Sequence, residues 1–281
     1  MSTPIPPLAG LPSATQTSLA RVARPAGGGT IPLQDAAVYG PIHSRRFGNS
    51  LGINVLPVSR KVCSSNCVYC QYGWTSPASG EERLKRAPEL LAEIRQGFER
   101  HVRAQTQVDC VTLAGNGEPT LHPELIELVI GIKGLRDTYF PKAAVGVLSD
   151  ATQVMRPRVR QALALLDLRC MKFDAADEAT WKRVNDPLGR VDFQAMLEGL
   201  RTLPNVVLQS MFIRGSVENV SEAHIGAWIE KARWLAPLAV QVYTIDRPTA
   251  ADGIQKVPRP QLQQIADRLT TATGIPTEVF E

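Results

Sequence analysis

The stretch Lys61-Val62-Cys63-Ser64-Ser65-Asn66-Cys67-Val68-Tyr69-Cys70 places three thiols within eight residues, at the spacing C-x3-C-x2-C. It follows the apolar run at residues 52–56, a candidate strand. The thiols therefore sit on a loop at that strand's C-terminal end, the face that carries the chemistry in β/α barrels. Three thiolates suffice for three irons of a cubane cluster. The fourth iron would then be open to a small chelating molecule and could pass it an electron. Two other readings fit the same residues. Structural zinc takes four N or S ligands, and His43 or His122 would supply the fourth. An electron-transfer iron–sulfur protein would ordinarily use four cysteines. Plain burial of the thiols as small hydrophobes is at odds with the polar Ser-Ser-Asn loop that carries them.

Outward from this loop, short apolar runs alternate with helical patterns. Candidate strands are residues 52–56, 109–114, 143–149, 169–173, 206–213 and 239–244. Helical periodicity falls at 88–101, 123–132, 156–165, 193–203 and 222–235, with a final helix at 259–273 and a tail at 276–280 that would close one side. Ala144-Val145-Gly146-Val147-Leu148 and Val206-Val207-Leu208 are nearly continuous in apolar character, which suits a parallel sheet covered by helices. Strands alternating with helices are βα units. The units predict an α/β fold, a partial (β/α)6 TIM-like barrel, with a doubly wound open sheet as the alternative.

The chain of 281 residues is 44% hydrophobic, enough to bury a sizeable core without disulfide staples. Its five cysteines are too clustered for a secreted disulfide framework and point to a metal site in a reducing compartment. Cys110 and Cys170 stand alone inside candidate strands and read as small buried hydrophobes. A net charge of +4 permits an anionic substrate or RNA without arguing for either. No apolar run reaches the roughly 18–20 residues of a membrane helix. Residues 1–36, rich in Pro, Ala, Ser, Thr and Gly, read as a disordered and dispensable leader before a barrel domain at 37–281. With no secretory h-region, the cytoplasm is the expected location.

The C-x3-C-x2-C spacing with Tyr69 just before the last cysteine resembles the signature of the radical S-adenosylmethionine (SAM) superfamily. The resemblance implies that Cys63, Cys67 and Cys70 hold a [4Fe–4S] cluster and that SAM chelates its unique iron. An electron from the cluster then breaks a C–S bond of SAM, and the 5′-deoxyadenosyl radical abstracts hydrogen from substrate. Such a cluster needs an electron donor such as flavodoxin or ferredoxin. Tyr69 matches the family's aromatic at the adenine.

Further motifs follow in family order. Gly115-Asn116-Gly117-Glu118 resembles the Gly-Gly-Glu segment that holds the SAM amino group, with Asn116 inserted. A Cβ at Gly117 would then obstruct SAM. Ser149 and Asp150 end the next strand, where the family places ribose and carboxylate contacts; the pair would equally serve as a helix N-cap. Asp174 ends the fourth strand and either touches SAM or substrate or caps the next turn. Ile213, Gly215 and Glu218 match an adenine-contacting pattern whose first glycine is here Met211.

Gly40-Pro41-Ile42-His43-Ser44-Arg45-Arg46-Phe47-Gly48 and Tyr243-Thr244-Ile245-Asp246-Arg247-Pro248 are similar to a wyosine-synthase-like Fe–S oxidoreductase branch. In them Arg45 and Arg46 read as an anion site or as solvated charge, and Asp246 and Arg247 as substrate contacts or a surface ion pair. Wyosine synthases carry further N-terminal cysteines for a second cluster, and no cysteine precedes Cys63 here. One cubane is therefore expected. The reconstituted protein should hold about four irons per chain and give one resonance signal when reduced. Close to eight irons, with two signals that survive loss of Cys63, would overturn that reading.

Overall fold

The structure is a computed structural model that describes residues 31–75 and 83–281. A hairpin of β1 (Val38–Ser44) and β2 (Gly48–Ile53) leads into α1 (Ala87–Arg103) and β3 (Cys110–Leu113). Then come α2 (Leu125–Tyr139), β4 (Ala144–Ser149), α3 (Pro157–Ala164) and β5 (Leu168–Lys172). Two helices, α4 (Glu178–Asn185) and α5 (Phe193–Thr202), precede β6 (Val206–Met211) and the short β7 (Ile213–Gly215). The chain finishes with α6 (Glu222–Leu235), β8 (Ala239–Tyr243), β9 (Ile254–Lys256), α7 (Arg259–Thr273) and β10 (Thr277–Phe280).

The main sheet has eight strands in the order β1-β2-β3-β4-β5-β6-β8-β10. Only the β1–β2 pair is antiparallel. A doubly wound sheet reverses its strand order at a switch point. Here the order runs one way from edge to edge, so the sheet curls into the expected partial barrel. Its outer face packs under the helices through Ile53, Leu113, Val147, Met171, Leu208 and Val242, all buried. Helix starts follow local chemistry: Asp177, Asp192 and Ser221 each accept a backbone N–H in the first turn of α4, α5 and α6.

Several boundaries differ from the sequence reading. The first parallel strand is Gly48–Ile53, because beyond it Asn54 turns the chain by bonding Leu56 through both side-chain atoms. The run at 206–213 is cut at Phe212, whose N–H bonds Tyr243 of the neighbouring strand; the residues after it leave to form the β7–β9 ribbon. There Gly215 lies so close to the facing strand that a Cβ would stand 2.0 Å from the Gly253 carbonyl oxygen. The expected closing tail is a strand, β10, parallel to β8.

Of the expected leader, residues 1–30 lie outside the described residues. Its last part is fastened to the barrel. Ile31 donates to the Gln71 carbonyl at 2.8 Å. Gln34 donates its N–H to Asn116 Oδ1 at 2.7 Å, and Asn116 Nδ2 returns a bond to the Gln34 carbonyl at 2.8 Å. The ordered domain therefore begins before residue 37, and a deletion of 2–36 would strip Asn116 of these partners.

The loop bearing the three cysteines is held by the segment after β3. Val62 forms a parallel bridge with Gly117, its N–H bonding the Asn116 carbonyl at 2.8 Å while Glu118 N–H bonds the Val62 carbonyl at 3.0 Å. Gly117 adopts φ +137°, and a Cβ there would lie 1.7 Å from the Val62 oxygen. A Cβ at Gly117 would thus meet the backbone beside Cys63. Gly117→Val should lower stability by about 2 kcal/mol or more. It should also make the cysteines react faster with a thiol reagent, as read by denaturant melts and labelling rates. A variant with wild-type stability and labelling would refute this.

Candidate active site

A cavity of about 430 Å³ opens within the barrel, lined by strand, strand-end and loop residues. Along the strands its lining alternates: Ser50 and Gly52, Thr112 and Ala114, Gln209 and Met211. That is the two-residue period of a strand with one face turned inward. Of the residues singled out from sequence, Cys63, Cys67, Tyr69, Cys70, Gly115, Gly117, Glu118, Ser149 and Asp150 all line this one cavity. So do Arg45, Arg46, Asp246 and Arg247.

Three expected contacts stand behind the wall instead. Asn116 is fully buried, and its amide nitrogen also bonds the Pro57 carbonyl at 2.9 Å. The inserted residue is therefore a clamp between chain segments. Asp174 accepts from the Tyr69 hydroxyl, from Asn185 Nδ2 at 2.7 Å and from the Met211 N–H at 2.8 Å. It orients the aromatic without lining the cavity; the helix cap nearby is Asp177. Ile213 packs with Cys67, Val68, Tyr69 and Met211, so the cavity meets Met211 rather than Ile213.

The cysteine loop is tied down on several sides. Ser64 and Ser65 both donate to Asp150 Oδ2, at 2.9 and 2.8 Å. Asn66 and Val68 N–H groups bond the Asp186 and Val184 carbonyls at 2.9 and 3.0 Å. Ser149 and Asp150 do not cap a helix: α3 starts later, with Arg156 in the cap position. Ser149 Oγ and the Asp150 N–H instead donate to Glu118, at 2.9 and 2.6 Å. The Gly-rich turn, the end of β4 and the cysteine loop thus form one hydrogen-bonded body.

The thiols receive polar partners. Lys61 Nζ reaches Cys70 Sγ at 3.3 Å while holding the Gly73 carbonyl at 2.6 Å. Asn185 Nδ2 reaches Cys67 Sγ at 3.4 Å. Burial, followed by the charge of Asp150, pushes the Cys63 thiol well above its usual pKa, and burial takes Cys67 to about 12. Burial, followed by Asp150, also raises Glu118 to about 8. Ligation requires the thiolate, which a cluster's iron would stabilise against this burial.

Three sulfurs on one pinned loop, facing an open cavity and flanked by N–H donors, fit a cubane held by three cysteines. The two histidines considered for zinc are both committed elsewhere. His122 donates from Nε2 to the Lys85 carbonyl at 3.0 Å and accepts the Glu124 N–H on Nδ1 at 3.1 Å. His43 bonds Asn49 on the hairpin at 3.0 Å. Neither histidine lines the cavity. Among the described residues, no three His, Cys, Asp or Glu side chains gather as ligands of one ion.

Sequence reasoning missed the inward polar residues Ser50, Thr112, Lys172 and Gln209. Their signal was a polar side chain at every second position of otherwise apolar strands, as in Val207-Leu208-Gln209. A wider hollow of about 860 Å³ beside α4 and α5 carries no thiol.

Comparison with known proteins agrees with this geometry. Residues 59–217 match the radical SAM superfamily. A UPF0026 protein of Helicobacter pylori (strain J99) is 31% identical over 218 residues, covering 76% of this chain and 67% of that protein. UPF0026 protein slr1464 of Synechocystis is 32% identical, covering 78% of each. In fold, the chain resembles TYW1 solved with a lysine–pyruvate adduct, at TM-score 0.60 and 14% identity over 80% of this chain and 74% of that one. It also resembles a radical SAM methyltransferase from Sphaerobacter thermophilus, at TM-score 0.60 and 15% identity over 82% and 65%. Among the described residues no helix is long and apolar enough to cross a membrane. With its cysteine loop, its curled parallel sheet and a match over most of its barrel, the chain belongs to the radical SAM superfamily.

Proposed function

We propose that this chain is an enzyme that cleaves SAM reductively at a [4Fe–4S] cluster on Cys63, Cys67 and Cys70 and so starts radical chemistry on a substrate in the barrel. The observation that carries the reading is one cavity shared by the three thiols, Tyr69 and the Glu118–Ser149–Asp150 network. The cluster, when bound, supplies one electron to a ligand at its open iron. The chain does the rest. Asp150 would offer a carboxylate to a ligand's amino group, and the positive charge of that group would draw the neighbouring Glu118 into its ionised form. Tyr69, held by Asp174, offers a fixed aromatic surface beside the last cysteine. The barrel wall limits water around a reactive radical.

In this reading a small reduced carrier, flavodoxin or ferredoxin, delivers the electron, and the protein is a cytoplasmic oxidoreductase in the broad sense. An RNA substrate has no support beyond the weakly basic charge.

Anaerobic reconstitution with iron and sulfide, followed by SAM and dithionite, should yield 5′-deoxyadenosine. Ala at Cys63, Cys67 or Cys70 should abolish the four-iron cluster and the product. Ala at Cys110 or Cys170, which are buried low in the barrel, should spare both. Tightly bound zinc with refusal of iron would sink the reading.

A further inference from the structure

The cavity is electrically divided. Glu118 and Asp150 lie on the side of the Gly-rich turn and β4. Cations occupy another side, built from the β1–β2 turn, β5 and the loop after β8: Arg45, Arg46, Lys172 and Arg247. The two at the rim are engaged. Arg45 pairs with Asp246 at 3.4 Å, and Arg247 donates to Gln71 at 3.0 Å.

The inner two meet only uncharged partners. Among the described residues, neither Arg46 nor Lys172 forms an ion pair. The Arg46 guanidinium lies 4.9 Å from the Tyr243 ring centre and 5.9 Å from that of Phe47. Its Nη1 is buried with no hydrogen-bond partner. Lys172 donates to the Tyr243 hydroxyl at 2.9 Å and lies 4.8 Å from the Tyr69 ring centre. Asp174 favours the charged form of Lys172 but directs its oxygens at Tyr69, Asn185 and Met211.

Both cations therefore converge on Tyr243, Arg46 at its ring and Lys172 at its hydroxyl. A buried guanidinium N–H without an acceptor has lost its water and gained nothing. Two cations beside one ring also repel each other. An anion between them relieves both costs. The guanidinium fork matches the paired oxygens of a carboxylate or phosphate, and the ammonium adds a compact charge.

From this arrangement we propose that Arg46 and Lys172 form an oxyanion subsite for the substrate, which is a small molecule bearing a carboxylate or phosphate. The inference rests on the function proposed above for the identity of the co-substrate: the SAM amino group takes the acidic side, leaving the cationic side to the molecule being modified.

The test is calorimetric titration of the full chain with inorganic phosphate and, in a second arm, with acetate, each repeated in saturating SAM. Saturable binding is expected in at least one arm, and the tighter arm names the oxyanion. Arg46→Gln and Lys172→Gln should each weaken it roughly ten-fold or more, and Arg46→Lys should recover part of the loss. Circular dichroism and thermal melts check the fold of each variant. Should Lys172→Gln fail to fold, Arg46→Gln on its exposed-edge turn decides alone. No saturable binding, equal binding in Arg46→Gln, or displacement of the probe by SAM would overturn the proposal, the last by assigning these cations to the SAM carboxylate. Heat is read without turnover, and the arms without SAM need no iron. A protein that refuses iron yet binds the probe at Arg46 would thus remove the radical function and leave the subsite, whereas product formation without probe binding would do the reverse.

Discussion

The site depends on a backbone contact, the parallel bridge between Val62 and Gly117. The three thiols lie on a loop without regular structure of its own, so their positions have to be imposed from outside. Side chains alone would leave rotamer freedom, whereas paired peptide groups do not. The Val62 bridge sets the start of the loop, the Asn66 and Val68 bonds to α4 set its middle, and the two serines hold it to Asp150. The C-x3-C-x2-C segment and the Gly-Asn-Gly-Glu segment, distant in sequence, are one physical object.

That unity explains which parts were legible in the sequence. The parallel strands and most helices could be read because strands covered on both faces carry near-continuous apolar runs, and helices a 3.6-residue stripe. The cysteines, Tyr69, Glu118, Ser149 and Asp150 could be placed at one mouth because strand ends in such a barrel share a face. Asn116, Asp174 and Ile213 could not be placed correctly. Their positions at strand ends are right, but whether a side chain points into the cavity or behind its wall depends on partners far along the chain, such as Gln34, Pro57 and Tyr69. β1 was missed for a related reason. It is an edge strand paired on one side, mostly exposed, so it lacks the apolar run that marks its neighbours.

Gly117 meets a demand of the backbone that its motif does not announce. A glycine at a strand end suggests room for a ligand. Here its positive φ and missing Cβ make room for the Val62 carbonyl. The consequence runs through the chemistry, because any change at Gly117 moves Cys63 before it touches a bound molecule. A variant at Gly117 therefore reports first on the geometry of the cysteine loop.

The lumen raises a different question of energetics. Parallel barrels ordinarily fill their interiors with branched apolar side chains. This one keeps such a layer only low down, where Phe47, Leu148, Cys170, Val207 and Ala239 pack together. Above it the inward positions become Ser50 and Thr112, hydrogen-bonded at 2.7 Å, then Gln209 and Gln241, also at 2.7 Å. These pairs satisfy each other, so they cost little. Arg46 and Lys172 follow a different rule, since each is a cation among neutral partners. A chain selected for stability alone would pair them or replace them with apolar groups of similar size. The polar pairs are self-sufficient and the two cations are not, so the unmet demand of this fold lies in the lining of the same cavity that the cysteine loop opens into.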